Sequence, residues 1–387
     1  MSAPSPAEFV RLVRDVVGDA PQVGLHVPDI GDEEKRVVAD CLDSTFVSSV
    51  GAYVTRFEEE IAAYTGAAAA VAVSNGTVAL QVALQLAGVG AGDEVLVPTL
   101  SFIATANAVH HVGAHPVFLD SEHDTLGLSP DALRGFLAKT HRSEGTIRNP
   151  VTGRRVAAVV PMHTLGHPVR IADIVRIADE WGLPVVEDAA ESLGSFVDGR
   201  HTGTFGRLGI LSFNGNKILT TGGGGMILTG DADLARRARH LTTTAKLPHR
   251  WEFAHDEAGY NYRMPNINAA LGVAQFGRLP RFLDEKRLLA ERYREAFDGV
   301  EGVRFLAEPA GTRSNHWLCA VEVDGGRDAR DAYLAATNDD GIQTRPFWGL
   351  LHEQLPYRAE HAEPTPVAQS LYDSVVCLPS TPALVRR

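Results

Sequence analysis

The sequence has few of the features that mark a secreted, membrane-bound or disulfide-rich protein. Only three of its 387 residues are cysteines, Cys41, Cys319 and Cys377, and no two of them lie close together. An odd number of distant cysteines fits neither a disulfide framework nor a zinc ribbon. The longest apolar runs are too short to cross a bilayer, and Asp15 and Asp19 interrupt the N-terminal segment where a signal peptide is apolar. We therefore expect a cytoplasmic protein with reduced thiols and no membrane partner.

Basic residues are also scarce. The 36 lysines and arginines are outnumbered by 48 aspartates and glutamates, which gives a formal charge of −12. Such a surface repels a phosphate backbone over most of its area, so nucleic acid is excluded as the expected partner.

The order of predicted elements indicates an α/β fold. Short apolar strands alternate with helices from Ala70 to Leu228, which is typical of a mostly parallel sheet covered by helices on both faces. Such a sheet binds ligands beyond the carboxyl ends of its strands. The polar, turn-rich stretch at about 140–155 predicts an inserted hairpin arm.

The chain length suggests two domains. We predict that residues 1–260 form an N-terminal segment and a large sheet domain. Residues 261–387 then form a linking helix, Asn266–Phe297, interrupted at Pro280, and a smaller α+β domain.

Three segments carry side chains suited to chemistry, and the first is Ser74–Thr77. It follows a predicted strand and opens a helix, where free backbone N–H groups bind anions. Gly76 lets a phosphate approach the backbone closely, and the Thr77 hydroxyl adds a donor. An ordinary helix cap explains this segment equally well when it is taken alone.

The second segment is the acidic pair Glu187 and Asp188 at the end of a predicted buried strand. A carboxylate in this position can hold the protonated pyridine nitrogen of pyridoxal phosphate. The alternative is an aspartate that caps a helix after a strand.

The third segment places Lys217 after a strand, among small neutral polar residues and ahead of the glycine run Gly222–Gly225. A lysine with desolvating rather than acidic neighbours can lose its proton and act as a nucleophile. Four consecutive glycines suggest backbone running close to a ligand or to another chain. A solvated surface lysine is the usual alternative, but it is less convincing in a chain with only five lysines.

A phosphate cup, a strand-end aspartate and a later lysine, in this order on an alternating chain, are typical of a pyridoxal phosphate site. On these motifs the sequence resembles the DegT/DnrJ/StrS family of nucleotide-sugar aminotransferases, which have the aspartate-aminotransferase fold (fold type I). The matching stretches span nearly the whole chain: Gly66–Ala87, Asp93–Asp120, Val185–Gly194, Leu211–Met226, Gly259–Gly272 and Leu378–Leu384. Within the family, Ser48–Gly51, the hairpin arm and Leu241–Lys246 resemble the LegC-like branch.

The resemblance implies a role for each matching cofactor residue. Lys217 would bind pyridoxal phosphate covalently and, once displaced, move the proton between cofactor and substrate carbons. Asp188 would pair with the pyridinium, and Phe102 would stack on the ring. Glu191 would lie beside the ring, where many relatives have Gln or His. The residues that would hold the phosphate are Gly76, Thr77 and Ser212.

The resemblance also implies a homodimer with shared active sites. Asn261 matches a position that reaches the phosphate of the neighbouring subunit, and Ser48 and Arg263 would contact the nucleotide sugar. The implied reaction moves an amino group from L-glutamate to C4 of a nucleotide-linked 4-keto-6-deoxy sugar. Two alternatives stay open: a pyridoxal phosphate enzyme acting on a keto-cyclitol or amino-shikimate precursor, and a sensor that binds the sugar nucleotide without converting it.

Histidine pairs suggest metal binding less strongly than they first appear to. His111 and His115 are four residues apart, but Gly113 lies between them and no HExxH glutamate accompanies them, so a helix end is the better interpretation. We predict no metal. His163 and His167 follow a strand near the expected cofactor, and we assign them no role.

Overall fold

The computed structural model describes residues 3–143 and 145–386. Its α-helices, in chain order, are α1 (Pro6–Val17), α2 (Asp32–Asp43), α3 (Ala52–Thr65), α4 (Gly76–Leu86), α5 (Ala104–His111), α6 (Pro130–Lys139), α7 (Ile171–Trp181), α8 (Ala232–Thr242), α9 (Asn266–Phe297), α10 (Gly326–Asp339) and α11 (Pro366–Ser374). None of the described helices is both long enough and apolar enough to span a membrane.

The strands fall into a large sheet, a small sheet and short hairpins. They are β1 (Ala69–Val73), β2 (Glu94–Pro98), β3 (His115–Leu119), β4 (His141–Ser143), β5 (Thr146–Arg148), β6 (Val156–Val159), β7 (Val186–Asp188), β8 (Phe196–Val197), β9 (Arg200–His201), β10 (Leu208–Ser212), β11 (Gly225–Thr229), β12 (Val303–Phe305), β13 (Thr312–Arg313), β14 (Cys319–Val323), β15 (Arg345–Pro346) and β16 (Val375–Leu378).

The large sheet has the order β3-β2-β6-β7-β10-β11-β1. Parallel bridges from Val159 to Val185 and from Met162 to Asp188 join its two ladders. Strand β11 runs antiparallel to both of its neighbours, β1 and β10, and the other described pairs in this sheet are parallel. Alternate residues of each strand face opposite sides, so α4, α5 and α8 pack on one face and α3, α6, α7 and α9 on the other. The predicted mostly parallel sheet, covered on both faces, is confirmed.

The small sheet is antiparallel, with the order β12-β14-β16-β15. Helix α1 shares a buried cluster with this sheet and with α10, and the ring of Phe9 stacks on that of Tyr333 with centroids 4.4 Å apart. The N-terminal helix therefore packs with the C-terminal elements, whereas the sequence grouped residues 1–260 together. The amphipathic pattern of α1 shows that one face is buried but not which partner buries it.

Helix α9 links the two sheets. Its bounds match the prediction, but the predicted interruption at Pro280 is wrong because the helix continues through this residue. A proline inside a helix costs roughly 3 kcal/mol. Packing on both sides offsets this cost, since Phe282 lies in the cluster under the large sheet and Tyr293 in the cluster under the small one.

The inserted arm is present as an antiparallel pair of β4 and β5, in which Arg142 faces Ile147. The arm lies between α6 and β6, as predicted from its turn residues.

A buried ion pair fixes the strand that leads into α4. The Arg263 guanidinium donates to a Glu58 carboxylate oxygen at 2.6 Å and to the Ala72 carbonyl at 2.7 Å. The Ala72 N–H donates to the same Glu58 oxygen at 2.7 Å, and Arg239 pairs with the other oxygen at 2.8 Å. Glu58 and Arg263 are both buried, so the guanidinium pairs with a carboxylate that is largely shielded from water.

We expect Arg263→Met to lower the free energy of unfolding by about 3 kcal/mol, because removing one member of a buried pair leaves the other desolvated. The matched control is Arg281→Met, since Arg281 is on α9 with half of its side chain exposed, and a change within 0.5 kcal/mol is expected there. Urea unfolding of both variants measures the difference. Equal stabilities would show that the buried pair contributes nothing net.

Two of the four consecutive glycines are close to backbone or side chains of their own chain. A Cβ on Gly225 would lie 2.5 Å from the Asn75 carbonyl carbon, and one on Gly224 would lie 2.6 Å from the Met264 methyl. The glycine run therefore lets β11 approach the start of α4, whereas the sequence suggested a ligand or another chain. A Cβ on Gly223 would meet its nearest neighbour at 3.9 Å.

We expect Gly225→Ala to destabilise the fold by roughly 1–3 kcal/mol, because backbone atoms have to move to admit the methyl group. Gly223→Ala, two residues away in the same run, should be tolerated. Thermal unfolding of the two variants compares them directly, and equal melting temperatures would contradict the close approach of β11.

Candidate active site

The carboxyl ends of β1, β7 and β10 and the loops that follow them surround a cavity of about 260 Å³, here called the main cavity. It lies where the parallel strands of the sheet end, the edge at which such folds bind ligands. The predicted site residues that line it are Gly76, Thr77, Phe102, Asp188, Glu191, Ser212 and Lys217.

The start of α4 forms one end of the main cavity. The Asn75 side chain accepts the Val78 N–H at 3.0 Å and so caps the helix. The N–H groups of Gly76 and Thr77, the first two helical residues, have no partner within the helix and stay available for an anion. A Cβ on Gly76 would lie 3.0 Å from the Ser212 Cβ, so glycine here brings the helix start against the end of β10.

Asp188 lies at another wall of the main cavity. One carboxylate oxygen accepts the Thr105 hydroxyl at 2.8 Å and the other accepts the Ala190 N–H at 3.3 Å. Burial raises the pKa of Asp188, and these two hydrogen bonds oppose the shift. A cation placed against the carboxylate would offset the desolvation that disfavours its ionised form. The site is therefore suited to a protonated ring nitrogen.

A buried histidine supports Asp188 from behind. The His163 backbone N–H donates to the Asp188 carbonyl at 3.1 Å, and the imidazole Nε2 lies 3.0 Å from Glu187. Because the Val169 N–H donates to Nδ1, Nε2 carries the proton and donates to the Glu187 carboxylate. His163 and His167 are both buried, and neither lines the main cavity.

Lys217 projects into the main cavity with 12% of its side chain exposed. Its Nζ lies 3.2 Å from a Glu191 carboxylate oxygen and 3.9 Å from the centre of the Trp317 ring. The expectation that only neutral residues surround this lysine is wrong, because Glu191 comes from the loop after a different strand and sequence distance concealed the contact.

Glu191 is an unusual acid. Burial raises its pKa to about 7, although the positive charge of Lys217 and a hydrogen bond from Leu165 act in the opposite direction. The Leu165 N–H reaches the second carboxylate oxygen at 3.0 Å, and Leu165 has a left-handed backbone with φ of 57°. A carboxyl group that keeps its proton up to neutral pH can exchange that proton with an adjacent amine.

Trp317 is a site residue that the sequence motifs did not predict. It precedes β14 of the small sheet, 100 residues after Lys217 in the chain. Its indole N–H donates to the Asn216 carbonyl at 2.7 Å, and the neighbouring Asn315 side chain donates to the carbonyls of Glu191 and Leu193. The small domain thus closes one side of the cavity. Trp348 lines it as well.

Three predicted residues do not line the main cavity of their own chain. Ser48 and Asn261 are exposed. Arg263 is buried and bonded to Glu58 and Ala72, so its guanidinium is not a free group facing solvent or substrate. The expectation that Arg263 contacts the sugar does not agree with this packing.

The described residues bring His240, Asp256 and Glu257 within 4.8 Å of one another, a spacing that would allow a metal ion. Arg237 pairs with Glu257, which places a positive charge where a cation would bind.

His111 ends α5 and His115 begins β3, where His115 pairs with Glu360 at 3.0 Å.

The main cavity fits pyridoxal phosphate. Its helix start suits the phosphate, Asp188 suits the pyridine nitrogen, and Lys217 supplies the amine that the aldehyde requires. Phe102, about half exposed at the rim, offers an aromatic face for the ring.

Comparison with known proteins agrees with this chemistry. The profile of the DegT/DnrJ/EryC1/StrS aminotransferase family matches residues 28–387. The chain is 37% identical over 363 residues to a putative pyridoxal phosphate-dependent aminotransferase, EpsN, of Bacillus subtilis, covering 93% of this chain and 91% of that protein. It is 36% identical to the GDP-perosamine synthase of Escherichia coli O157:H7, covering 94% of each.

Among solved structures, the aminotransferase TlmJ from Streptoalloteichus hindustanus superposes with a TM-score of 0.84 at 34% identity, covering 93% of each chain. The fold, the site and these similarities together show that the chain belongs to the DegT/DnrJ/EryC1/StrS family of aminotransferases.

Proposed function

We propose that the protein is a pyridoxal phosphate-dependent transaminase that moves an amino group from L-glutamate to C4 of a nucleotide-linked 4-keto-6-deoxy sugar. The product would be an amino sugar for a surface glycan, of the legionaminic-acid or perosamine kind. The observation that carries the proposal is Lys217, whose amine lies in the main cavity between Glu191 and Trp317.

The cofactor would be held at three points. The Gly76 and Thr77 N–H groups and Ser212 would bind its phosphate, Asp188 would hold its ring nitrogen, and Phe102 would cover its ring. When bound, pyridoxal phosphate accepts the amino group of the donor and stabilises the negative charge that forms when a proton leaves the substrate carbon.

The protein's own residues bind, orient and move the proton. Lys217 Nζ, once displaced by the substrate amine, would move the proton between the substrate carbon and the cofactor carbon. Glu191 would hold a proton next to Nζ, since its carboxyl is 3.2 Å away and its pKa is raised by burial to about 7. The Trp317 ring limits the directions in which Nζ can swing and excludes water from it.

The acceptor class rests on the relatives. One of them is named for a nucleotide-linked sugar, GDP-perosamine, and the similarity covers almost the whole of both chains. Resemblance to the LegC-like branch stays a prediction. The keto-cyclitol alternative is not favoured, because similar proteins are named for nucleotide-linked sugars. The sensor alternative is not favoured, because the family consists of aminotransferases and Lys217 and Asp188 are both in place.

A homodimer with shared sites is part of the proposal. Asn261 does not line its own main cavity, and it follows a segment with exposed Trp251 and Phe253, at 68% and 79% exposure. Exposed aromatic side chains on one segment favour an interface with another protein. In the dimer, each Asn261 would reach the phosphate held by the partner.

The first test follows the absorption of protein-bound pyridoxal phosphate. We expect the purified protein to show the long-wavelength band of lysine-bound cofactor, and L-glutamate to abolish it with the release of one 2-oxoglutarate per site. Lys217→Ala should lack the band and the turnover. Lys35→Ala, which removes an exposed lysine on α2, should behave as the native protein. A band that glutamate leaves unchanged would contradict the proposed donor.

The second test uses the pH dependence of stability in the cofactor-free protein. The pKa of Glu191 rises from 4.5 to about 7 on folding. Its protonated form therefore contributes to the free energy of unfolding below about pH 4.5, and this contribution is lost as the pH rises through 7. The free energy of unfolding of the native protein, relative to Glu191→Gln, should therefore fall by up to about 3 kcal/mol over this range. Glu59→Gln, at an exposed position of α3, is the control. Parallel profiles for native protein and Glu191→Gln would contradict the raised pKa.

A further inference from the structure

A second cavity adjoins the main one on the side of the small domain. It has a volume of about 550 Å³ and shares Asn216, Trp317 and Trp348 with the main cavity. We call it the side cavity. The rest of its lining comes from the segment before α2, from the loop after β6 and from the small sheet. It includes Leu25, His26, Leu165, Arg345, Phe347 and Cys377.

The imidazole of His26 makes no hydrogen bond to the described residues of the chain. Both imidazole nitrogens are buried, and neither has a hydrogen-bond partner. A buried imidazole without partners is costly, so its place on the wall of a cavity indicates that a ligand satisfies it. Burial and the positive charges of Lys286 and Lys217 hold the pKa of His26 well below its usual value. The neutral ring offers one donor N–H and one acceptor.

Arg345 is the charged residue of the side cavity. Its guanidinium donates to two neutral oxygens, the Asn338 side chain at 2.9 Å and the Thr344 carbonyl at 2.7 Å. None of the described residues that line the side cavity is an aspartate or glutamate, in a chain whose formal charge is −12. Arg345 also has no carboxylate partner among the ion pairs of residues 3–143 and 145–386.

The walls on either side of these groups are flat and aromatic. The rings of Phe347 and Trp348 are nearly parallel, with 25° between their planes and centroids 6.1 Å apart. An apolar pocket with a few convergent polar donors is the usual form of a small-molecule site.

We propose that the side cavity binds the anionic group, a carboxylate or a phosphate, of a substrate whose reacting end lies at Lys217. Arg345 would pair with two oxygens of this group, as guanidinium does with carboxylates and phosphates, and His26 would donate a single hydrogen bond. This inference rests on the proposed function, because it assumes that Lys217 marks the reacting end.

Two substrates of the proposed reaction carry such a group. L-Glutamate has a second carboxylate beyond the carbon that reacts, and the nucleotide-linked sugar has a diphosphate. The chemistry that Arg345 recognises is the same for both, so the source has to be separated by experiment.

The experiment measures binding to the pyridoxal phosphate-loaded enzyme by calorimetry. The probes are glutarate, which has the two carboxylates of glutamate and no amine to react, and UDP and GDP. The proteins are the native enzyme, Arg345→Leu, Arg345→Lys and His26→Leu. The control is Arg134→Leu, which removes an exposed arginine on α6.

We expect Arg345→Leu to bind one class of probe roughly tenfold to a hundredfold more weakly, the loss that follows removal of a charge-assisted hydrogen bond. Arg345→Lys should recover part of the affinity, and Arg134→Leu should match the native enzyme. Weaker glutarate binding assigns the group to the amino donor, and weaker UDP or GDP binding assigns it to the nucleotide. Unchanged affinity of every probe for Arg345→Leu would overturn the proposal, as would native enzyme that binds none of the probes.

Retention of the cofactor band in each variant shows that folding and the main cavity are intact. If His26→Leu fails to fold, the two Arg345 variants still decide the question. Arg345 is an exposed residue, so we expect its replacement to leave the fold intact. The proposed function would fail differently, through a native enzyme whose cofactor band does not respond to glutamate.

Discussion

The contact between the Lys217 amine and the Glu191 carboxyl sets the conditions that the rest of the site has to meet. Two ionisable groups 3.2 Å apart in a buried place are stable only if their other hydrogen-bonding atoms are satisfied. Leu165 supplies an N–H to Glu191 from a left-handed backbone that costs about 1 kcal/mol or more for a residue other than glycine. Asn315 fixes the Glu191 main chain from the small domain. Strain and long-range packing thus hold one carboxyl beside one amine.

The fold explains why these groups meet. Strand β7 ends at Asp188 and β10 at Ser212, and parallel neighbours bring both ends to one edge of the large sheet. The long helix α9 then carries the chain across to the small sheet. Trp317, just before β14 of that sheet, lies with the centre of its ring 3.9 Å from Lys217 Nζ. Glycines 224 and 225 let β11 lie against the start of α4. The same close packing forms the end of the main cavity that would hold the phosphate.

The sequence predicted the parts of the site that depend on local order. Asp188 ends a strand, and Lys217 and the α4 start follow soon after one. The edge of a parallel sheet is a reliable place to expect such residues. Trp317, the charged neighbour of Lys217 and the packing of α1 depend on contacts between distant segments, which periodicity does not encode. For Arg263, a motif suggested a substrate contact, whereas in the folded chain its guanidinium donates to Glu58. The continuity of α9 through Pro280 likewise depends on tertiary packing.

The central claim, that the protein uses Lys217 to move the amino group of L-glutamate to a sugar nucleotide, is tested most directly by following the nitrogen atom. The native enzyme would be incubated with L-glutamate that carries a heavy-nitrogen label and with a nucleotide-linked 4-keto-6-deoxy sugar, and the nucleotide fraction analysed by mass spectrometry. The account predicts one labelled amino group on the sugar of each product molecule, and none with Lys217→Ala. A sugar nucleotide recovered without label, while labelled glutamate is consumed, would contradict it.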